Sequence, residues 1–161
     1  MIGAKFMIDN KKLVAIVQAT AKRIEAEKDF LTELDNAIGD GDHGINLARG
    51  FAAVEKKLPE LAEKDLGAIL KGIGMALVSN VGGASGPLYG TAYMKAGAAL
   101  KGKAEMTPED FAAAFDAAIG GVQMRGKAHE GEKTMLDAQM SACKAYKEAL
   151  EAGKPARSVT F

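Results

Sequence analysis

Residues 35–46 read DNAIGDGDHGIN, which places three acids, Asp35, Asp40 and Asp42, within eight residues and threads Gly39, Gly41 and Gly44 between them. Unpaired carboxylates this close repel one another, so a compact loop needs a cation or hydrogen bonds to offset the repulsion. Glycine lets the backbone turn tightly enough for the acids to converge on one point. Hard divalent cations such as Mg²⁺ take oxygen ligands and are usually held by a few carboxylates together with substrate phosphates. The chemistry on offer is therefore a Mg²⁺–phosphate site, and the competing reading is a solvated acidic turn.

Two commoner interpretations fail on the residues themselves. Residues 39–44 match G-x-G-x-x-G, but the dinucleotide fingerprint follows an apolar strand, and Thr32-Glu33-Leu34-Asp35 is not one. A calcium loop counted from Asp40 needs glycine at its sixth position and glutamate at its twelfth, where this chain has Ile45 and Phe51. A second glycine-rich stretch, residues 80–91 (NVGGASGPLYGT), lacks the Gly-Lys-Ser/Thr ending of a P-loop. Its backbone N–H groups and the Ser85 hydroxyl can still meet a phosphate at the start of a helix, where the dipole favours anions. One loop would then hold cations and the other the phosphates they accompany. His43 is either a phosphate contact or a phosphoryl-carrying nucleophile, or it is structural. His129 sits among polar residues and reads as surface. Met135 and Met140 read as core fillers, with a place beside a nucleotide base as the other option, and Cys143 lies on an apolar stripe, buried and inert.

The elements that must position these loops are all helical. Asp9 is an N-cap, and Leu13, Val17, Ala21 and Ile24 recur at helical spacing toward Lys28. The acidic stretch follows as a loop. A second helix begins near Gly44 with the face Leu47, Phe51, Val54 and Leu58, and Pro59 ends it. A third carries Leu66, Ile69, Leu70, Ile73 and Leu77. Its Gly67 and Gly74 cost about 1 kcal/mol each relative to alanine, which points to close backbone approach by a neighbour. Pro87 suits the first turn of a fourth helix, capped by Ser85 or Gly86 and continuing to about Leu100. Thr107-Pro108-Glu109-Asp110 opens a fifth with the face Phe111, Phe115, Ala118, Ile119 and Val122. A sixth aligns Leu136, Met140, Cys143, Tyr146 and Leu150 and ends near Gly153 and Pro155. No two-residue alternation appears, so the expected fold is all-α, six amphipathic helices with mostly antiparallel neighbours.

Composition narrows the function classes. The 161 residues suit one domain spanning 1–161, and 21 basic residues balance 21 acidic ones. Without a basic stripe nucleic acid is not an expected partner. One cysteine rules out an intrachain disulfide framework. The segment Met1–Phe6 has no signal pattern, and Lys71 and Asn80 interrupt the most apolar run, so a soluble, cytoplasmic protein with no membrane partner is expected.

Taken together, residues 34–46, 82–91 and 125–137 (RGKAHEGEKTMLD) resemble, in order and spacing, the dihydroxyacetone kinase L-domain family. The likeness is to its free-standing, nucleotide-binding L subunit of the phosphotransferase-system-dependent kinase, and it covers roughly residues 1–150. The resemblance implies a barrel of antiparallel helices with ADP or ATP bound at one end. It also implies Asp35, Asp40 and Asp42 as ligands to two Mg²⁺ ions. His43, Gly44, Ile45 and Asn46 would contact the nucleotide phosphates together with Ala84 and Ser85, and Gly126 and Met135 would line the rest of the pocket. In such a system a multiphosphoryl carrier subunit (M) phosphorylates bound ADP, and the ATP formed phosphorylates dihydroxyacetone held on a K subunit. No residue is assigned as catalytic, in keeping with phosphoryl transfer by positioning and charge neutralisation.

The family pattern continues for several dozen residues past the point where this chain departs from it, in AGKPARSVTF ending at Phe161. The expectation is a C-terminally shortened L-type domain whose barrel is open on one side, with apolar surface facing solvent or a second copy in a homo-oligomer. Two other functions remain open at this point: an L-like domain of an ATP-dependent kinase with another acceptor, such as a fatty acid, and a regulatory module that reports nucleotide state.

Overall fold

A computed structural model describes residues 7–154; Met1–Phe6 and Pro155, named in the expectations above, lie outside the described residues. Seven helices occur among them: α1 (Asn10–Ala26), α2 (Lys28–Asn36), α3 (His43–Leu61), α4 (Leu66–Asn80), α5 (Ser85–Ala99), α6 (Pro108–Gly126) and α7 (Met135–Glu151). The fold is all-α. A single antiparallel strand pair, β1 (Ile8–Asp9) with β2 (Glu105–Met106), joins the start of α1 to the start of α6, Ile8 facing Met106. No helix among the described residues is long and apolar enough to cross a membrane.

The apolar stripes read from the sequence are the stripes that become buried. Leu13, Val17 and Ala21 of α1, Leu47, Phe51, Val54 and Leu58 of α3, and Leu66, Ile69, Ile73 and Leu77 of α4 form the main core with Leu100. Ile119 and Val122 of α6 meet Leu136 and Cys143 of α7 in a second cluster. Helix starts follow capping chemistry. Asp9 accepts from Lys12 N at 2.8 Å, and Thr107–Asp110 and Thr134–Asp137 are reciprocal capping boxes.

Four local expectations need correction. The segment assigned to a loop after Lys28 contains α2, which ends at Asn36 and therefore carries Asp35. α2 carries apolar residues at helical spacing, Phe30, Leu31 and Leu34, but buries none of them fully: Phe30 and Leu34 are more than half exposed, and only Leu31 packs on the core. Pro59 does not end α3, which runs on to a buried Leu61. The Pro59 ring removes the ladder hydrogen bond that an N–H there would give to Glu55 O, and the helix continues past it by one short stretch. The N-cap of α5 is Ala84, without a side-chain cap, and Ser85 is the first helical residue. Finally, Phe111 is 38% exposed; α6 instead buries Ala112 and Ala114, and the Phe111 ring meets Tyr146 edge-on at 5.1 Å.

α4 and α5 are held backbone to backbone by four glycines. A Cβ on Gly67 would lie 2.6 Å from Gly97 O, and one on Gly74 would lie 2.6 Å from Gly90 O. This close approach explains why glycine interrupts an otherwise apolar helix. Between α1, α5 and α6 lies a cavity of about 360 Å³ lined by Leu13, Val17, Tyr93, Ala96, Met106 and Phe115 among others.

Asp65 caps α4 by accepting from Ala68 N at 3.0 Å and also accepts from Gly102 N at 3.2 Å, so it ties α4 to the turn after α5. These hydrogen bonds hold its carboxyl below the ordinary 3.8.

Two predictions follow from this packing. Gly74→Ala should destabilise the protein by about 1–3 kcal/mol in urea unfolding, because Gly90 O and the Met94 backbone obstruct the new methyl group. Gly120→Ala, on the open side of α6, should stabilise it by about 0.5–1 kcal/mol; equal effects at both positions would refute the close-approach account. Asp65→Ala should lower Tm at pH 7. Because the folded pKa is depressed, the wild-type advantage is complete above the unfolded value and is lost as pH falls through the folded one. The Tm gap should therefore narrow below about pH 4.

Candidate metal and nucleotide site

The acidic loop is built on the end of α2. Gly39 N donates to Asp35 O at 2.6 Å and Ile38 N to the same oxygen at 3.1 Å, which folds the chain back immediately after the helix. Gly41, at φ +72°, completes the reversal. Asp42 N and His43 N then donate to Asp35 Oδ2 at 3.1 and 3.3 Å. Asp35 thus caps α3 from the neighbouring helix, and Asp42, although it occupies the N-cap position, makes no side-chain cap of its own. One carboxylate oxygen from each of Asp35, Asp40 and Asp42 lies within 4.8 Å of the others. Asp35 is half-buried, while Asp40 and Asp42 face solvent.

Gly44 is fixed by packing: a Cβ there would strike Lys28 O and the Thr32 hydroxyl, so the first turn of α3 rests directly on α2. The amides of Gly44 and Ile45 belong to that first turn and have no intrahelical acceptor. The start of α5 faces the same place. His43 Nδ1 and Ser85 Oγ are 3.1 Å apart, a hydrogen bond whose direction depends on the imidazole tautomer. Because no side chain caps α5, the amides of Ser85 and Gly86 are likewise open to an anion. Two positive helix ends therefore lie against a knot of three carboxylates.

Gly126 and Met135 reach this end through Leu88. Gly126 is the last residue of α6, and a Cβ there would sit 3.1 Å from Leu88 Cδ2 in the first turn of α5. Met135 opens α7 and packs in the same cluster as Leu88. The connection between them is pinned by Asp137, whose carboxylate accepts from Gly131 N and Thr134 N and is held below its ordinary pKa by those bonds. His129 is exposed and pairs locally with Glu132. Cys143 is buried, 3.9 Å from Asp116 Oδ1, and burial pushes its thiol pKa up, which suppresses reactivity.

Asn46 is a buried polar residue, 6% exposed, and its partner is one that the motif reading passed over: Arg49 donates to Asn46 Oδ1 at 2.6 Å and to Asn80 O at 2.9 Å. The available signal was spacing, since residues three apart on a helix are neighbours.

Comparison with known proteins agrees with this geometry. The chain is 46% identical over 125 residues to the ADP-binding subunit DhaL of the PEP-dependent dihydroxyacetone kinase of Escherichia coli, a match that covers 78% of this chain and 60% of that one. The chain thus spans about three-fifths of that relative's length. In three dimensions it superposes on the dihydroxyacetone kinase of C. freundii in its native form with a TM-score of 0.72 and 27% identity, over 88% of this chain and 25% of that one. The same kinase in complex with AMP-PNP and Mg²⁺ gives a TM-score of 0.73 at 24% identity, over 98% of this chain and 30% of that one. The family model for the DAK2 domain matches residues 37–160, most of the chain, and on that match the chain belongs to the DAK2 domain family.

Proposed function

We propose that this chain is an ADP/ATP-carrying, Mg²⁺-dependent phosphotransferase domain of a dihydroxyacetone kinase. The observation that carries the reading is the convergence of three carboxylates on one point beside two open helix N-termini. A relative at 46% identity is named as an ADP-binding subunit, and the C. freundii kinase has been crystallised with AMP-PNP and Mg²⁺.

The donor set fits Mg²⁺. Asp35, Asp40 and Asp42 offer hard oxygens, and the exposure of Asp40 and Asp42 leaves room for the water and phosphate ligands that this ion retains. Two divalent cations would more than neutralise the three acids and leave net positive charge for the phosphates. Bound Mg²⁺ supplies charge neutralisation at the phosphoryl group and orients its oxygens.

The protein's own part is to hold and orient. The amides of Gly44 and Ile45, the His43 and Asn46 side chains, and Ala84 with Ser85 would take the phosphates; Gly126 and Met135 would border the rest of the nucleotide. Engagement of His43 Nδ1 by Ser85 fixes the ring and leaves Nε2 available to a phosphate. The acceptor and donor follow the family reading: dihydroxyacetone on a K subunit, and a multiphosphoryl carrier M subunit that restores ATP from ADP.

ADP binding should require Mg²⁺ and should fall by at least about tenfold in Asp40→Ala and in Asp42→Ala, as read by calorimetry. Unchanged affinity in both variants would sink the metal assignment. Phosphoryl transfer to dihydroxyacetone should appear when K and M subunits, phosphoenolpyruvate and the general carrier proteins are supplied; turnover with ATP alone at the same rate would remove M from the scheme.

A further inference from the structure

Arg49 lies one turn beyond the start of the site on α3 and touches both of its loops. Its Nη2 donates to Asn46 Oδ1 at 2.6 Å and its Nε to Asn80 O at 2.9 Å. One guanidinium therefore ties the first turns of α3 to the last residue of α4, where the glycine-rich turn begins. Guanidinium carries donors only, so the amide atom of Asn46 that faces it must be the oxygen. The amide nitrogen is then directed away from Arg49, and no acceptor among the described residues engages it.

The neighbouring backbone leaves that nitrogen uncovered. A Cβ on Gly82 would lie 2.7 Å from Asn46 Oδ1 and 3.0 Å from Asn46 Nδ2, so any larger residue would crowd the amide. Asn46 is buried as a residue, but Gln139 Oε1 is the one fully buried side-chain polar atom without a partner among the described residues, so Asn46 Nδ2 still reaches the surface and can meet a ligand there. Arg49 itself is exposed, and as a surface tie alone it would need only one of its two acceptors.

We propose that Arg49 is a positioning residue for the anion side of the site: it locks the Asn46 amide so that Nδ2 is presented as a donor to a nucleotide phosphate, and it sets the spacing of the two phosphate-facing loops. The proposal rests on the nucleotide-binding reading above. Lysine cannot replace arginine here, because a single ammonium lacks the rigid fork that serves Asn46 and Asn80 together.

A double-mutant cycle on the 161-residue chain tests this. In Mg²⁺–ADP calorimetry, Arg49→Ala should weaken binding about tenfold, the loss expected when a charge-assisted hydrogen bond is removed. Arg49→Lys should recover only part of that loss. In an Asn46→Ala background, Arg49→Ala should cost less than about twofold more, since its target is gone. Equal losses in both backgrounds, full recovery by lysine, or unchanged affinity in a folded Arg49→Ala protein would each overturn the proposal. A second readout needs no nucleotide. In ¹⁵N spectra of the ligand-free chain, the two Asn46 Nδ2 protons should be well separated, and Arg49→Ala should collapse them toward the values of a freely exchanging amide. Unmoved resonances overturn the role of Arg49 whether or not ADP binds. The expected collapse in Arg49→Ala, found alongside a wild-type chain that binds no Mg²⁺–ADP, would instead overturn the nucleotide reading.

Discussion

Everything around the acidic loop depends on one carboxylate oxygen. Asp35 Oδ2 accepts from the backbone of both Asp42 and His43, so the last turn of α2 caps the first turn of α3. An aspartate in the N-cap position ordinarily bends back to cap its own helix, and Asp42 would then turn its carboxylate toward α3 and away from Asp40. Asp42 makes no such bond: its carboxylate lies with those of Asp35 and Asp40, and the Gly44 and Ile45 amides it would otherwise cap are left without a side-chain acceptor. The same two bonds position Asp35 as the fixed member of the group, half-buried where the other two are exposed. A loop of three acids is thus made compact by backbone donors before any cation arrives.

The second constraint acts at a distance from the chemistry. The pairing of Gly67 with Gly97 and of Gly74 with Gly90 draws α4 and α5 to backbone contact, so the turn joining them is short and its exit is determined by how those helices cross. Farther along, Gly50 of α3 accommodates Val81, the residue that follows α4. Helix α5 accordingly starts where Ser85 meets His43. Glycine serves packing in the helix interiors and chemistry in the loops, and the two uses are linked: without the interior contacts the helix ends would not coincide.

This division explains what was legible in the sequence. The faces of α1, α3 and α4 were readable because each buries one stripe of large apolar residues against the main core, and that of α7 because it does the same in the second cluster. α2 was passed over although Phe30, Leu31 and Leu34 recur at helical spacing: it is short and buries no residue, and its part in capping α3 and supporting Gly44 leaves no pattern of its own. The strand pair at Ile8–Asp9 was too short to alternate. The acidic motif was visible as a cluster of like charges, but spacing alone implied three equivalent acids on a loop. Asp35 is instead helical, and it does a different job from Asp40 and Asp42. The second glycine loop was visible too, yet the contact of His43 with Ser85 and the bridge from Asn46 through Arg49 to Asn80 cross 42 and 31 residues, distances at which one sequence carries no pattern.

The arrangement of charge also constrains the form of ligand that the site can accept. On one side stand three carboxylates, and on the other the open amides of two helix N-termini. A free nucleotide would bring its phosphates against the amides but also within range of the acids, whose repulsion is weakly screened in a partly buried setting. A cation alone would satisfy the acids and leave the helix ends facing water. Only a ligand that carries both signs in a fixed relation, such as a metal–polyphosphate complex, meets both sides at once, and each component then raises the affinity for the other by the same factor. On the function proposed above, tight retention of a nucleotide would arise from that coupling without a large apolar pocket for the base.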